Sequence, residues 1–107
     1  MSWHAEWTKR CNDAWLNSEE HGFHEGYDFA KKIALMHSEL SEALEADRHG
    51  NPLSEKIPDY THVEEELADL VIRVMDESAT LKLNLAGAID AKMKYNEGRP
   101  FKHGKKY

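Results

Sequence analysis

Residues Met36–Asp47, MHSELSEALEAD, decide how the chain folds. They contain no Gly or Pro and consist mostly of good helix formers, so the stretch reads as helix throughout. Glu39 and Glu42 are three residues apart and share one helix face about a turn apart. A second helical stretch, Val63–Leu81, carries Glu66 and Asp69 at the same spacing. Two carboxylates from each helix can build one oxygen-rich cation site if the helices stand face to face. The rest of the chain is expected to hold them so.

Working outward, Asp28 can cap the helix that contains this stretch, which is expected to run to Asp47 or Arg48. Phe29, Ile33, Met36, Leu40 and Leu44 form its main apolar face. Glu39 and Glu42 lie off that face with Leu35 and Ala46 beside them, so the acidic side is also expected to be covered, by another helix or a second subunit. Gly50, Pro52 and Pro58 break the chain over His49–Tyr60 and let it turn back antiparallel. Thr61 opens the next helix, with Glu64 completing a capping box. That helix has a wide apolar arc through Val63, Leu67, Leu70, Val71, Val74, Met75 and Leu81, and is expected to be central. Glu66, Asp69, Arg73, Asp76 and Thr80 fill the remaining strip. Acids confined to one strip of a buried helix are costly unless paired or metal-bound. Arg73 is the expected partner of Asp76.

The flanks add a helix on each side. Ser2–Ser18 has Ser2 as N-cap and an apolar stripe of Trp3, Trp7, Cys11 and Trp15, expected to pack on the core. Trp15, nearest the following loop, is the expected wall of a base pocket, because rings stack on bases with little sequence choice. Asn17–Tyr27 reads as a loop anchored by Phe23, with Gly22 and Gly26 speaking against a helical His21/His24 metal pair. Trp7 and Phe29 are further candidates for base contact, and His37 is expected to be a core histidine. After a break near Lys82–Asn84, a last helix spans about Leu85–Asn96. The basic tail, about 97–107, can meet phosphate or remain a solvated terminus.

A chain of 107 residues with 40% hydrophobic and 32% charged residues fits one globular helical domain, 1–107. Strand signals are poor, so the expected fold class is all-α: an antiparallel four-helix bundle completed by oligomerisation. A net charge of −6 argues against nucleic acid as partner, but bound cations would invert the local field for a nucleotide. Cys11 stands alone, the first residues lack a signal-peptide pattern, and no run reaches membrane-span length. No membrane contact and a cytoplasmic location are expected.

Glu39-x-x-Glu42, then 23 residues, then Glu66-x-x-Asp69 resembles the signature of the MazG-like, all-α nucleoside triphosphate pyrophosphohydrolases. The ending from Lys92 through Tyr95, Asn96, Arg99, Pro100, Lys102 and His103 is similar to the C-terminal motif of the small members, including dCTP pyrophosphatases. The resemblance covers about residues 28–106. It implies hydrolysis of a nucleoside triphosphate between the α and β phosphates, releasing a monophosphate and pyrophosphate. It implies Mg²⁺ as cofactor, with Mn²⁺ as substitute, held by Glu39, Glu42, Glu66 and Asp69. By the same resemblance Lys92, Tyr95, Asn96 and Arg99 meet the phosphates or sugar, helped by Lys102 and His103, and Asp76 supports sugar or metal. It also implies paired subunits, with a homotetramer favoured over a dimer. The expected substrate is dCTP or another dNTP removed as house-cleaning. Three other readings stand beside this one: a pyrophosphohydrolase of another nucleotide such as phosphoribosyl-ATP, a non-catalytic helical interaction module, and a di-iron bundle. The di-iron bundle requires Glu-x-x-His pairs that the sequence lacks.

Overall fold

The computed structural model describes residues 2–101, and these form four α-helices with no strand. Helix α1 is Trp3–Glu20, α2 is Phe29–Arg48, α3 is His62–Thr80 and α4 is Leu85–Glu97. The helix starts follow from local chemistry. The Ser2 side chain accepts from Ala5 N, and Asp28 accepts from Ala30 N and Lys31 N. Thr61 and Glu64 close the capping box. Asn84 caps α4 through Gly87 N at 3.0 Å. Helix α1 runs two residues past the expected Ser18, and a hydrogen-bonded turn over His21–Gly26 leads toward α2.

Gly50, at φ +83°, and Asn51, at φ +49°, stop α2. Asn51 Oδ1 then accepts from Val63 N at 2.9 Å, and His62 N donates to Pro52 O at 2.8 Å. The α2–α3 connection is thereby tied to the start of α3, next to an isolated antiparallel bridge between Leu53 and Thr61.

Helix α3 packs on both α1 and α2, as expected of the central helix, while the main helix contact of α4 is with α1. The α1–α3 approach goes through small side chains, with Cys11, Ser18 and Ser78 all buried. The α2–α3 approach goes through Ala43 and Ala46.

The apolar faces correct the sequence expectation. In α2 the buried residues are Glu39, Ala43 and Ala46, while Leu40 and Leu44 are 47% and 53% exposed. The acidic side is covered, as expected, and α3 covers it; of the expected core face, Phe29, Leu40 and Leu44 are exposed, while Ile33 and Met36 are half-buried. Helix α3 likewise buries Glu66, Asp76, Glu77 and Ser78 and leaves Leu67, Val71 and Ile72 partly open. Close approach of two helices requires small residues at the crossing, and alanines supply them on the acidic side of α2. Phe23 is no core anchor either, being 62% exposed, and His37 is exposed.

Candidate metal centre

Seven or eleven residues along an α-helix return a side chain to within about 20° of its starting face. On α3 this places Glu66 above Glu77 and Asp69 above Asp76, so one strip of carboxylates runs the length of the helix. On α2, Glu39 and Glu42 face the upper part of that strip. Glu39, Glu42 and Glu66 each offer a ligand atom, and the three atoms lie within 4.8 Å of one another. Asp69 stands in the same cavity, one turn on from Glu66.

Two of these carboxylates are deeply buried, Glu39 at 7% exposure and Glu66 at 5%. Each has one oxygen, Oε2, that is buried without a hydrogen-bond partner. A buried carboxylate oxygen with no donor is costly, and the cost is removed by a donor or a cation. Arg73 meets part of the demand, its Nε donating to Glu39 Oε1 at 3.2 Å. This corrects the expected Arg73–Asp76 pair. Asp76 Oδ1 instead meets His24 Nε2 at 2.8 Å, and His24 Nδ1 meets Glu19 Oε2 at 2.5 Å. Burial opposes a charge on His24, but the Asp76 and Glu19 carboxylates outweigh it and hold the imidazole pKa above its usual value.

The triad is electrostatically frustrated. Burial first, and then the neighbouring Glu42 and Glu39 carboxyls, push the Glu66 pKa up to about 8. Asp69 is also raised, by burial and by the charges of Glu39 and Glu65, against the lowering pull of Lys56 and Arg73. A divalent ion would reverse this strain by stabilising all the carboxylates in their charged form. The donor set fits Mg²⁺, a hard cation that prefers oxygen.

The triad sits in a cavity of about 630 Å³ between α1, the α1–α2 turn, α2 and α3. Its lining also includes three cations: Arg73 and Lys56, which act on the acids, and Lys32, whose Nζ donates to Phe23 O at 2.7 Å. Phe23, Leu35 and Met36 supply apolar surface, and Asp76, Glu77, Asn17 and Ser18 supply polar surface. Sequence reasoning missed Lys32, although it lies seven residues before Glu39 on the same helix face, and Lys56, which the α2–α3 connection brings to the cavity. It also missed Glu77, whose Oε2 accepts from the Tyr27 hydroxyl at 2.5 Å. That bond is the main cause pushing the Tyr27 pKa up to about 12.

The remaining expected site residues separate into two groups. Phe23 and Asp76 line the cavity. Trp15 does not, and its ring stacks on His24 with centroids 5.0 Å apart. Trp7 and Phe29 do not line it either. Lys92, Tyr95, Asn96 and Arg99 also lie outside the cavity lining, with Lys92 Nζ 4.7 Å and the Arg99 guanidinium 5.6 Å from the Tyr95 ring centre. Lys102 and His103 fall outside the described residues. No helix among the described residues is long and apolar enough to cross a membrane. Comparison of the chain with protein-family models, with curated proteins and with solved structures gives no match.

Proposed function

We propose that the protein is a Mg²⁺-dependent nucleoside triphosphate pyrophosphohydrolase that cleaves between the α and β phosphates. The observation that carries this reading is the cluster of Glu39, Glu42 and Glu66 in the lining of a 630 Å³ cavity, with one buried, partnerless oxygen on each of Glu39 and Glu66. Cavities of that size suit small molecules. The motif resemblance read from the sequence points the same way.

Glu39, Glu42, Glu66 and Asp69 would hold the cation. When bound, Mg²⁺ neutralises phosphate charge and lowers the pKa of an attacking water. Lys32, Lys56 and Arg73 would grip the polyphosphate, whose charge no all-acid lining would accept. Phe23, Leu35 and Met36 would shelter the base or sugar, with dCTP or another dNTP as substrate. The basic residues of α4 would reach a cavity from a second copy of the chain, because in their own chain they lie outside it. A homotetramer is the favoured assembly and a dimer the next. The half-exposed Leu40, Leu44, Leu67 and Val71 are the apolar surface such an assembly would cover.

A product assay with each common NTP and dNTP, with Mg²⁺ and with chelator, tests the proposal. Monophosphate plus pyrophosphate, formed only with Mg²⁺, is the expected result. Diphosphate plus phosphate would place the cleavage elsewhere. No turnover, together with no Mg²⁺-dependent rise in melting temperature, would favour an interaction module.

A further inference from the structure

We propose that a second divalent cation binds beside the first, on His62, Glu65 and Glu66, and that its nitrogen donor favours a first-row transition ion over Mg²⁺, with Mn²⁺ serving as the spectroscopic probe. The proposal shares Glu66 with the metal centre proposed above and to that extent rests on it.

His62, Glu65 and Glu66 lie within the first turns of α3, and each presents a ligand atom within 4.8 Å of the other two. His62 Nε2 is 3.0 Å from Glu66 Oε1. The other Glu66 oxygen is buried without a partner in a side chain that is 5% exposed, so a Glu66 carboxylate shared between two ions would use both of its oxygens. A histidine–glutamate hydrogen bond four residues apart on a helix satisfies only one of those oxygens.

The groups around the triad are held in place. Ser54, itself buried, donates its hydroxyl to Glu65 Oε1. The same hydroxyl oxygen accepts from Lys56 N at 3.2 Å and Ile57 N at 3.1 Å. The α2–α3 connection thereby orients the Glu65 carboxylate in the way outer-shell partners orient metal ligands. The bond from His62 N to Pro52 O fixes the backbone that carries the imidazole.

Donor chemistry separates this triad from its neighbour. Glu39, Glu42 and Glu66 offer oxygen alone, which suits Mg²⁺. An imidazole with two carboxylates binds first-row transition ions more tightly.

The test uses the full chain, stripped with chelator and titrated with Mn²⁺ in the absence of nucleotide. Bound Mn²⁺ is counted, and its nitrogen coupling is read by electron spin echo modulation. The expected result is two classes of ion, one of them nitrogen-coupled. His62→Ala removes the nitrogen-coupled ion, and Glu39→Gln leaves it in place. Glu65→Gln weakens that ion at least about tenfold, which keeps the test open if the His62 variant folds poorly. Oxygen-coordinated ions alone in the wild type, or nitrogen coupling that survives His62→Ala, would overturn the second site and leave the first standing. A nitrogen-coupled ion alone, unaffected by Glu39→Gln, would sink the first reading and keep the second.

Discussion

Arg73 and Glu39 sit on different helices, and the Arg73 Nε donates to Glu39 Oε1 at 3.2 Å. The guanidinium thus supplies positive charge beside the carboxylates that would hold a cation. Arg73→Ala should cost about 1–3 kcal/mol of stability without divalent ions, because Glu39 is left buried and unpaired. Added Mg²⁺ should then stabilise the variant more than the wild type, since no internal cation competes for Glu39. Melting curves with and without Mg²⁺ check this; an equal or smaller Mg²⁺ effect in the variant would refute the competition.

Glu42 is the solvent-exposed member of the oxygen triad, so its loss disturbs packing least. Glu42→Gln should lower pyrophosphohydrolase turnover by about 100-fold or more while the helical circular-dichroism signal persists. Turnover near the wild-type rate would show that the carboxylates are misassigned.

The raised Glu66 pKa has a defined signature. Its folded value of about 8 lies above the ordinary carboxyl value of 4.5, so the folded state binds more protons than the unfolded state between those limits. Without divalent ions, stability should therefore fall as pH rises from about 4.5 to about 8. Asp69, raised as well, adds to the same slope. Glu66→Gln should flatten the slope and regain about 1–3 kcal/mol above pH 8. Urea unfolding across this range measures it, and an unchanged slope in the variant would exclude Glu66 as its source.

The exposed side of α2 makes the fourth prediction. Leu40 and Leu44 are one turn apart and both about half exposed. Leu44→Glu should break the proposed assembly into smaller species with little loss of helix. Size exclusion with light scattering reads the result, and a wild-type protein that is already monomeric would remove the basis for the proposed assembly.

Much of this architecture was legible in the chain. Asp28 and Thr61 announce helix starts through local hydrogen bonds, and Gly50 and Pro52 announce a break, so the helix positions followed from neighbours in sequence. The Glu39/Glu42 and Glu66 convergence followed from helix period plus the cost of burying acids. Which face of α2 turns inward did not follow. Periodicity defines a face but not the neighbour that covers it, and Ala43 and Ala46 beside the glutamates allow a close approach that the leucines do not. Arg73 illustrates the same limit: three residues from Asp76, it invites pairing along its own helix, yet the crossing of α2 and α3 delivers Glu39 to it. Lys32 was legible, seven residues before Glu39 on one helix face, whereas Lys56 reaches the cavity from a loop that only the tertiary fold brings there.

The inward turn of Ala43 and Ala46 also reorders what substitution can do. A saturation scan of α2 would tolerate polar replacements at large leucines, provided assembly is not selected, and reject even modest enlargement at two alanines. Hydrophobicity would then predict the wrong sensitive positions, and side-chain volume the right ones. An attempt to improve the protein by filling its interior would meet carboxylates first, because along this helix the side chains buried toward α3 are one glutamate and two alanines.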